Sequence, residues 1–189
     1  RKWRGKDTWV KRRKEENKWK DVIVYDGISL EQWLDEAPAV SRWFASQGYA
    51  GVCSSDGIIT ADECWEEWSC SGQLELTPAC VLAGREVARD ALIKLLEGNP
   101  SIIGVRASTK GEAIAFILAT MKASDSEVSG RFFSTTLIID QEDRFRSVSS
   151  SMQHALNLIV RFDNAGLFSS AVRRGHHVLV PLGADDVFS

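Results

Sequence analysis

The residues best suited to chemistry lie together near the middle of the chain, at positions 101–113. They stand between an apolar run and an apolar helix pattern, where a nucleotide-binding protein places its phosphate loop. Such a loop reads G-x-x-x-x-G-K-[ST], because glycines turn backbone N–H groups inward and the lysine and hydroxyl serve phosphate and magnesium. With Gly104 as the first glycine, Lys110 matches the lysine, but Thr109 replaces the second glycine and Gly111 replaces the hydroxyl residue. The stretch therefore lacks most of the chemistry of a phosphate loop.

The same residues fit a helix-capping pattern better. Thr109-Lys110-Gly111-Glu112 reads as a capping box, in which the Thr109 hydroxyl accepts from the Glu112 amide and the Glu112 carboxylate accepts from the Thr109 amide. A phosphate would compete for these amides and would meet a fixed negative charge. We therefore predict a capped structural helix at this point, with no catalytic residue.

A divergent nucleotide site is the alternative, with ATP and magnesium as its ligands. Magnesium would need an acid at the end of a neighbouring apolar strand. Asp140 and Asp163 each follow an apolar run, so either fits by position. Acids at strand ends also cap helices and form turns, which is the role we favour. The residues of this alternative site are Ser108, Thr109, Lys110 and Asp163.

The histidines and serines do not form a second catalytic constellation. His176 and His177 are neighbours at the start of a predicted strand, so they point to opposite faces and cannot act on one ligand together. We expect one to be buried and hydrogen-bonded and the other to be exposed or at an interface. The serines at 149–151 lack the G-x-S-x-G pattern of a hydrolase elbow.

The number and spacing of the cysteines indicate reduced thiols rather than disulfide bonds. Four of them are spread without a C-x-x-C pair, which argues against a disulfide framework in a chain of this size. A zinc site built from Cys64, Cys70 and a distant histidine is the alternative. The cysteines are Cys53, Cys64, Cys70 and Cys80.

The amino-acid composition indicates which class of protein carries these residues. The chain has 189 residues, of which 44% are hydrophobic and 26% are charged, as in soluble globular proteins. No apolar run approaches the roughly 20 residues of a membrane helix, and no signal peptide is visible. We therefore expect a cytoplasmic protein without a membrane partner, and we interpret the chain ends as those of a fragment.

Charge and tryptophan are distributed unevenly along the chain. Residues 1–20 contain ten Lys or Arg and three acids, a charge of +7 within a total of −3. All seven tryptophans fall in the first 68 residues. Such shifts usually separate structural units. We predict a basic, Trp-rich, mostly helical unit over 1–80 and a parallel α/β domain over 81–189.

Within 1–80 the patterns predict one short strand, over 22–25, and several helices. A loop is expected over 48–60, where Gly, Ser and Asp-Gly cluster. The helix starts are placed at an Asp7 cap, a Ser29-x-x-Gln32 capping box, Pro38, a Thr60-x-x-Glu63 capping box and Thr77-Pro78.

From residue 101 the pattern alternates between strand and helix. We predict helices over 85–97, 110–122 and 166–174, with a short helix and loop over 140–151. Four near-continuous apolar strands separated by helices predict a parallel sheet with helices on both faces. The predicted strands cover 102–107, 135–139, 156–160 and 177–180.

Binding of nucleic acid through the basic N-terminal segment is a further alternative function. Lys and Arg neutralise phosphates, and exposed aromatic rings stack on bases. A charged, solvated helix face anchored by its tryptophans explains the same pattern without a ligand, and we favour it. The candidate contacts are Lys2, Arg4, Lys11, Arg12, Arg13 and Lys14.

Two segments resemble known families. Residues 1–7 and 19–26, followed by Leu30-Glu31-Gln32-Trp33-Leu34 and Pro38-Ala39-Val40, resemble the end of a restriction-endonuclease-like domain of the Mrr type, PD-(D/E)xK. Such domains occur in large bacterial multidomain proteins, many of them associated with phage defence. The segment Ala83-Gly84-Arg85-Glu86 and the run 175–183 resemble the region that follows, a degenerate ATPase module of STAND-type signalling NTPases.

The resemblance implies a degenerate P-loop-NTPase-like fold. The nuclease carboxylates and lysine would lie before Arg1, and no E-x-K with a suitably placed partner acid occurs here, so no nuclease residue is carried over. We therefore expect a non-catalytic scaffold or regulatory segment of a larger bacterial protein linked to nucleic-acid cleavage or phage defence. Its expected partners are neighbouring domains of the same polypeptide, with DNA and further copies of the chain as alternatives.

Overall fold

The structure is a computed structural model that describes residues 3–44, 57–72, 74–152 and 154–186. Its contacts divide the chain into two units, Arg1–Ala37 and Pro38–Ser189. The boundary near residue 80 that composition suggests stays a prediction.

The first unit contains two helices, α1 (Lys6–Glu15) and α2 (Gly27–Glu36), and neither has a buried residue. Helix α1 begins after Gly5, so the predicted Asp7 cap is wrong and Asp7 lies in the first turn. Asp26 caps α2, because its Oδ1 atom accepts from the Ser29 amide at 3.0 Å. The predicted Ser29-x-x-Gln32 box is therefore wrong as well.

The strand predicted over 22–25 is also wrong, since these residues adopt no regular structure. A strand needs a partner to satisfy its backbone N–H and C=O groups. The described part of the first unit offers only helices, so an apolar run there has no sheet to join.

The second unit begins with α3 (Pro38–Phe44), β1 (Ile58–Thr60) and α4 (Ala61–Ser69). The start at Pro38 is confirmed. The Thr60 capping box is confirmed in both directions: Thr60 Oγ1 accepts from the Glu63 amide at 3.2 Å, and Glu63 Oε2 accepts from the Thr60 amide at 2.8 Å. The loop predicted over 48–60 lies outside the described residues up to position 56, and its last three residues form β1 instead.

Helices α5 (Pro78–Leu82) and α6 (Glu86–Leu96) lead into the α/β part, and both follow the predicted pattern. The remaining elements are β2 (Ile102–Arg106), α7 (Lys110–Lys122), α8 (Ser126–Thr135), β3 (Thr136–Ile139), α9 (Glu142–Ser151), β4 (Asn157–Val160), α10 (Ala165–Arg173) and β5 (His177–Leu182). Of these elements, helix α8 has no counterpart in the sequence analysis.

The five described strands form one sheet in the order β1-β3-β4-β5-β2. The four predicted strands are confirmed as neighbours in parallel, with Ile138 opposite Ile159 and Leu179 opposite Ile103. The fifth strand, β1, pairs antiparallel with β3. Sequence patterns missed β1 because three residues are too few to show the period of a strand.

Helices cover both faces of the sheet, as predicted. On one face, Ile103, Ile138, Ile159 and Leu179 pack with residues of α4 to α8. On the other face, the intervening residues, such as Leu158 and Val178, pack with α3, α9 and α10. Successive strand residues alternate between the faces, which is why these strands are apolar almost without interruption. Helix α10 ends at Arg173, one residue before the predicted end, and Gly175 follows it with a φ of +95°.

Candidate functional site

The candidate site lies at the carboxyl edge of the parallel strands, where β2 leads into α7. Open α/β sheets bind ligands at this edge, where connections leave for opposite faces. Helix α7 packs on one face and α10, which follows β4, packs on the other. Strand β5 lies between β2 and β4. We call the residues Ser108, Thr109, Lys110, Glu112 and Asp186 the α7 entry site.

The cap of α7 uses its own side chains, in a slightly different pattern from the predicted one. Thr109 Oγ1 accepts from the Glu112 amide at 3.1 Å, which confirms the first half of the capping box. Glu112 Oε2 accepts from the Ser108 amide at 3.2 Å, so the second half, predicted at Thr109, is wrong by one residue. Two backbone donors at the helix entry are therefore already bonded.

Arg85 explains where the Glu112 carboxylate lies. The Arg85 Nη2 atom donates to Glu112 Oε1, which places the other carboxylate oxygen on the Ser108 amide. The hydrogen bond from Arg85, followed by the one from Ser108, holds the pKa of Glu112 below its ordinary value. Glu112 therefore stays negative at neutral pH. Sequence reasoning missed Arg85, which stands 27 residues before its partner.

Lys110 is also engaged by the protein. Its Nζ atom lies 3.5 Å from Asp186 Oδ2, and the same oxygen accepts from the Gly183 amide at 2.7 Å. That amide is the main reason why the pKa of Asp186 is lowered, with Lys110 and Arg106 adding to it. Asp186 thus places a second fixed negative charge at the α7 entry site.

Arg106 holds the segment that carries Asp186. Its Nη1 atom donates to the carbonyl oxygens of Gly183 and Ala184, each at 2.9 Å, and its Nη2 atom donates to the Asp186 carbonyl at 2.8 Å. The Ala184 amide donates to the Ser108 carbonyl at 3.4 Å. The turn 183–186 is therefore bonded directly to the loop that enters α7. A charged residue at the end of an apolar strand was the signal that could have identified Arg106.

The two acids proposed for magnesium follow β3 and β4, whereas the α7 entry site follows β2. Asp163 is exposed beyond β4, and β5 stands between that strand and β2. Asp140 Oδ1 accepts from Arg161 Nη1 at 3.4 Å, so this carboxylate has a cationic partner from the protein. The structure brings Ser108, Thr109 and Lys110 together at one helix entry, as a continuous segment must, and the inclusion of Asp163 in the same site stays a prediction.

Both neighbouring histidines are buried. The expectation of a buried, hydrogen-bonded histidine is confirmed for His176, whereas His177 is not exposed, and its place at an interface stays a prediction. His176 Nδ1 accepts from the Leu156 amide at 3.1 Å, and Nε2 lies 3.2 Å from the Ser149 carbonyl. His177 begins β5, whose two faces are covered by helices, and its Nδ1 has no hydrogen-bond partner among the described residues. Burial lowers the pKa of both imidazoles. Neither reaches solvent as a catalytic base would.

The three cysteines in the described part of the chain do not form a metal-binding group. Cys64 is buried, and its Sγ atom accepts from Arg161 Nη2 at 3.4 Å, while Cys70 and Cys80 are exposed. Burial raises the pKa of the Cys64 thiol. Cys53 lies outside the described residues. Within the described ranges no group of three His, Cys, Asp or Glu side chains could hold a metal ion, so the zinc alternative gains no support.

The basic residues of the first unit lie mainly on α1, and several have acidic or aromatic partners. Arg13 lies over the Trp9 ring at 5.2 Å and bonds to Glu16, while Lys14 Nζ pairs with Asp21 at 2.8 Å. Arg4, Lys11 and Arg12 are exposed, and Lys2 lies outside the described residues.

None of the helices among the described residues combines the length and apolar character that a membrane crossing requires. No family model, curated protein or solved structure matches this chain.

Proposed function

We propose that this chain is a non-catalytic scaffold or regulatory α/β module of a larger bacterial protein. The observation that carries the proposal is the state of the α7 entry site. Glu112 and Asp186 occupy the amides and the lysine that a triphosphate would need. A phosphate entering here would face two ionised carboxylates and would have to displace Thr109 from the helix cap.

The relation to P-loop NTPases is part of this proposal. What supports it is the succession of a buried strand, a short loop and an apolar helix at the carboxyl edge of a mostly parallel sheet. Only residues 107–109 separate β2 from α7. Such a loop is too short to wrap a phosphate with inward-facing amides, as the G-x-x-x-x-G-K-[ST] loop does.

The setting of the module is proposed from the resemblance alone. We infer that it stands beside a nuclease-like domain in a cytoplasmic protein linked to nucleic-acid cleavage or phage defence. Its partners would then be neighbouring domains of the same polypeptide, which dock on an α/β scaffold that no longer hydrolyses nucleotide.

Nucleotide binding tests the proposal directly. We expect no saturable binding of ATP, with or without Mg²⁺, at concentrations up to about 1 mM in isothermal titration. The reason is that the positive end of α7 is already matched by Glu112 and the Lys110 charge by Asp186. Micromolar affinity that disappears in Lys110→Ala would overturn the proposal. Lys122→Ala, at the other end of the same helix, is the matched control.

Nucleic-acid binding by the first unit is the second candidate function, and one observation favours it. Trp9, Arg13 and Trp19 line an open cavity of about 410 Å³, and Trp19 is 66% exposed. Two rings and a guanidinium beside exposed lysines are the elements of a sequence-tolerant single-strand site, in which stacking contributes about 1–3 kcal/mol per base.

An anisotropy titration with labelled oligothymidine tests this candidate. We expect Trp19→Ala to weaken binding by about fivefold or more at low salt, since one base would lose its stacking partner. Lys11→Gln with Arg12→Gln should reduce the steepness of the salt dependence, because two phosphate contacts are lost. Lys94→Gln on α6 is the control for charge alone. Absence of binding at low salt would remove the candidate.

A further inference from the structure

A cavity of about 260 Å³ lies between α4 and α7 and extends to Gly111 in the first turn of α7. Its floor consists of Ile114, Ala115 and Leu118, which are buried on one side of α7. An apolar cavity of about 150 Å³ is enough to hold benzene. The space between α4 and α7 is therefore large enough for a bicyclic ring system.

Two side chains of the cavity, Arg161 and Trp68, carry hydrogen-bond donors. Arg161 follows β4 and lines the cavity, and its Nη2 atom is bonded to the Cys64 thiol, which is a weak acceptor. Its Nη1 atom is bonded to Asp140 Oδ1 only at 3.4 Å. The indole nitrogen of Trp68, Nε1, is also a donor. It lies beside Gly111, because a Cβ atom added to that glycine would be 4.0 Å from Nε1. A ligand with an acceptor atom would satisfy these donors better.

The charges at the cavity select against anions and cations. Among the described residues that line the cavity, Arg161 is the one cationic side chain. The Glu67 carboxylate also lies in the lining, and the Asp140 carboxylate lies beside the guanidinium of Arg161. The Cys64 thiol stays neutral because burial raises its pKa. An anion would meet two like charges, whereas a cation would meet Arg161 and would offer no acceptor to the donors.

We propose that this cavity binds a small, uncharged, planar molecule that carries a carbonyl or comparable acceptor. The ring lies on the floor formed by α7 against the Trp68 indole, and the acceptor accepts from Arg161. The site is at the carboxyl edge of the sheet, the usual place for ligands in α/β folds, because Gly111 comes after β2 and Arg161 comes after β4.

Three probes that share a naphthalene ring separate the contributions of ring packing, the acceptor atom and ligand charge to binding. By isothermal titration we expect 2-naphthamide to bind with a Kd below about 1 mM, at least about tenfold tighter than naphthalene, which lacks the acceptor, and 2-naphthoate, which adds a charge. Arg161→Met should weaken 2-naphthamide about tenfold and leave naphthalene unchanged. Glu67→Gln should strengthen 2-naphthoate severalfold and leave 2-naphthamide unchanged.

Gly111→Leu provides the steric test, because a side chain at this exposed first-turn position fills the cavity without removing any contact of the core. We expect it to abolish binding of all three probes while the thermal midpoint is kept or raised. Arg146→Met, on α9, is the matched control for Arg161→Met, because it also removes an exposed arginine. Absence of 2-naphthamide binding, tighter binding of 2-naphthoate, or unchanged binding in Gly111→Leu would each overturn the proposal.

Discussion

Replacing Phe145 with alanine is expected to lower the free energy of unfolding by about 3–5 kcal/mol. Phe145 is fully buried at the start of α9, and its ring meets Phe162 at 5.6 Å and Phe168 at 5.8 Å between centroids, both edge-on. These rings attach α9 and α10 to one face of the sheet, so the substitution leaves a cavity that several elements must close at once.

Urea unfolding followed by far-ultraviolet circular dichroism measures this effect, with Phe145→Leu as the control that keeps most of the volume. The Phe145→Leu protein should lose clearly less free energy of unfolding than Phe145→Ala, since a branched aliphatic side chain refills much of the space. A loss below about 1 kcal/mol for alanine would mean that the three rings do not form the core of this face.

The second prediction concerns His176, which links the ends of two elements that are distant in sequence. Replacing it with leucine leaves the buried Leu156 amide without its acceptor and the Ser149 carbonyl without its contact. We expect a loss of about 1–3 kcal/mol at pH 7.5, the cost of an unsatisfied buried group. His154→Leu, at an exposed position, should change stability little.

The same histidines make stability depend on pH in a defined direction. Burial lowers the pKa of His176 and His177 in the folded state, so below about pH 6.5 the unfolded chain binds more protons than the folded one. Stability is therefore complete above pH 6.5 and decreases as pH falls toward 5. Glu112 and Asp186 have lowered pKa values, so their contribution is lost only at more acidic pH.

Thermal midpoints measured from pH 7.5 to 5 test this sign. We expect the thermal midpoint of the wild-type protein to fall as the pH is lowered from 7.5 to 5. The midpoint of His176→Leu should fall less, and its remaining decrease should come from protonation of His177. A midpoint that rises on acidification, or one equally pH-dependent in both proteins, would contradict a neutral, buried His176.

Local patterns were enough to predict the elements whose signals lie within one segment. Helix α7 spans the predicted residues because its cap, its apolar side chains and its end occur together in sequence, and the Thr60 box is correct for the same reason. Strands β3, β4 and β5 were predicted because strands buried on both faces are apolar throughout. Strand β2 lies at the sheet edge and was predicted from its own apolar residues, although part of it is exposed. The run 22–25 shows the limit, since an apolar segment becomes a strand only where a partner exists.

The cap of helix α7 was visible in the sequence as Thr109 and Glu112. The arginines that surround this cap were not, because Arg85 reaches Glu112 across 27 positions and Arg106 binds the turn 183–186 across about 80. Contacts over such separations leave no periodic trace in one sequence, and only chain topology places these residues side by side. The amino-acid sequence by itself determined a capped helix in an α/β chain, whereas the tertiary structure decided which charges stand at its entry.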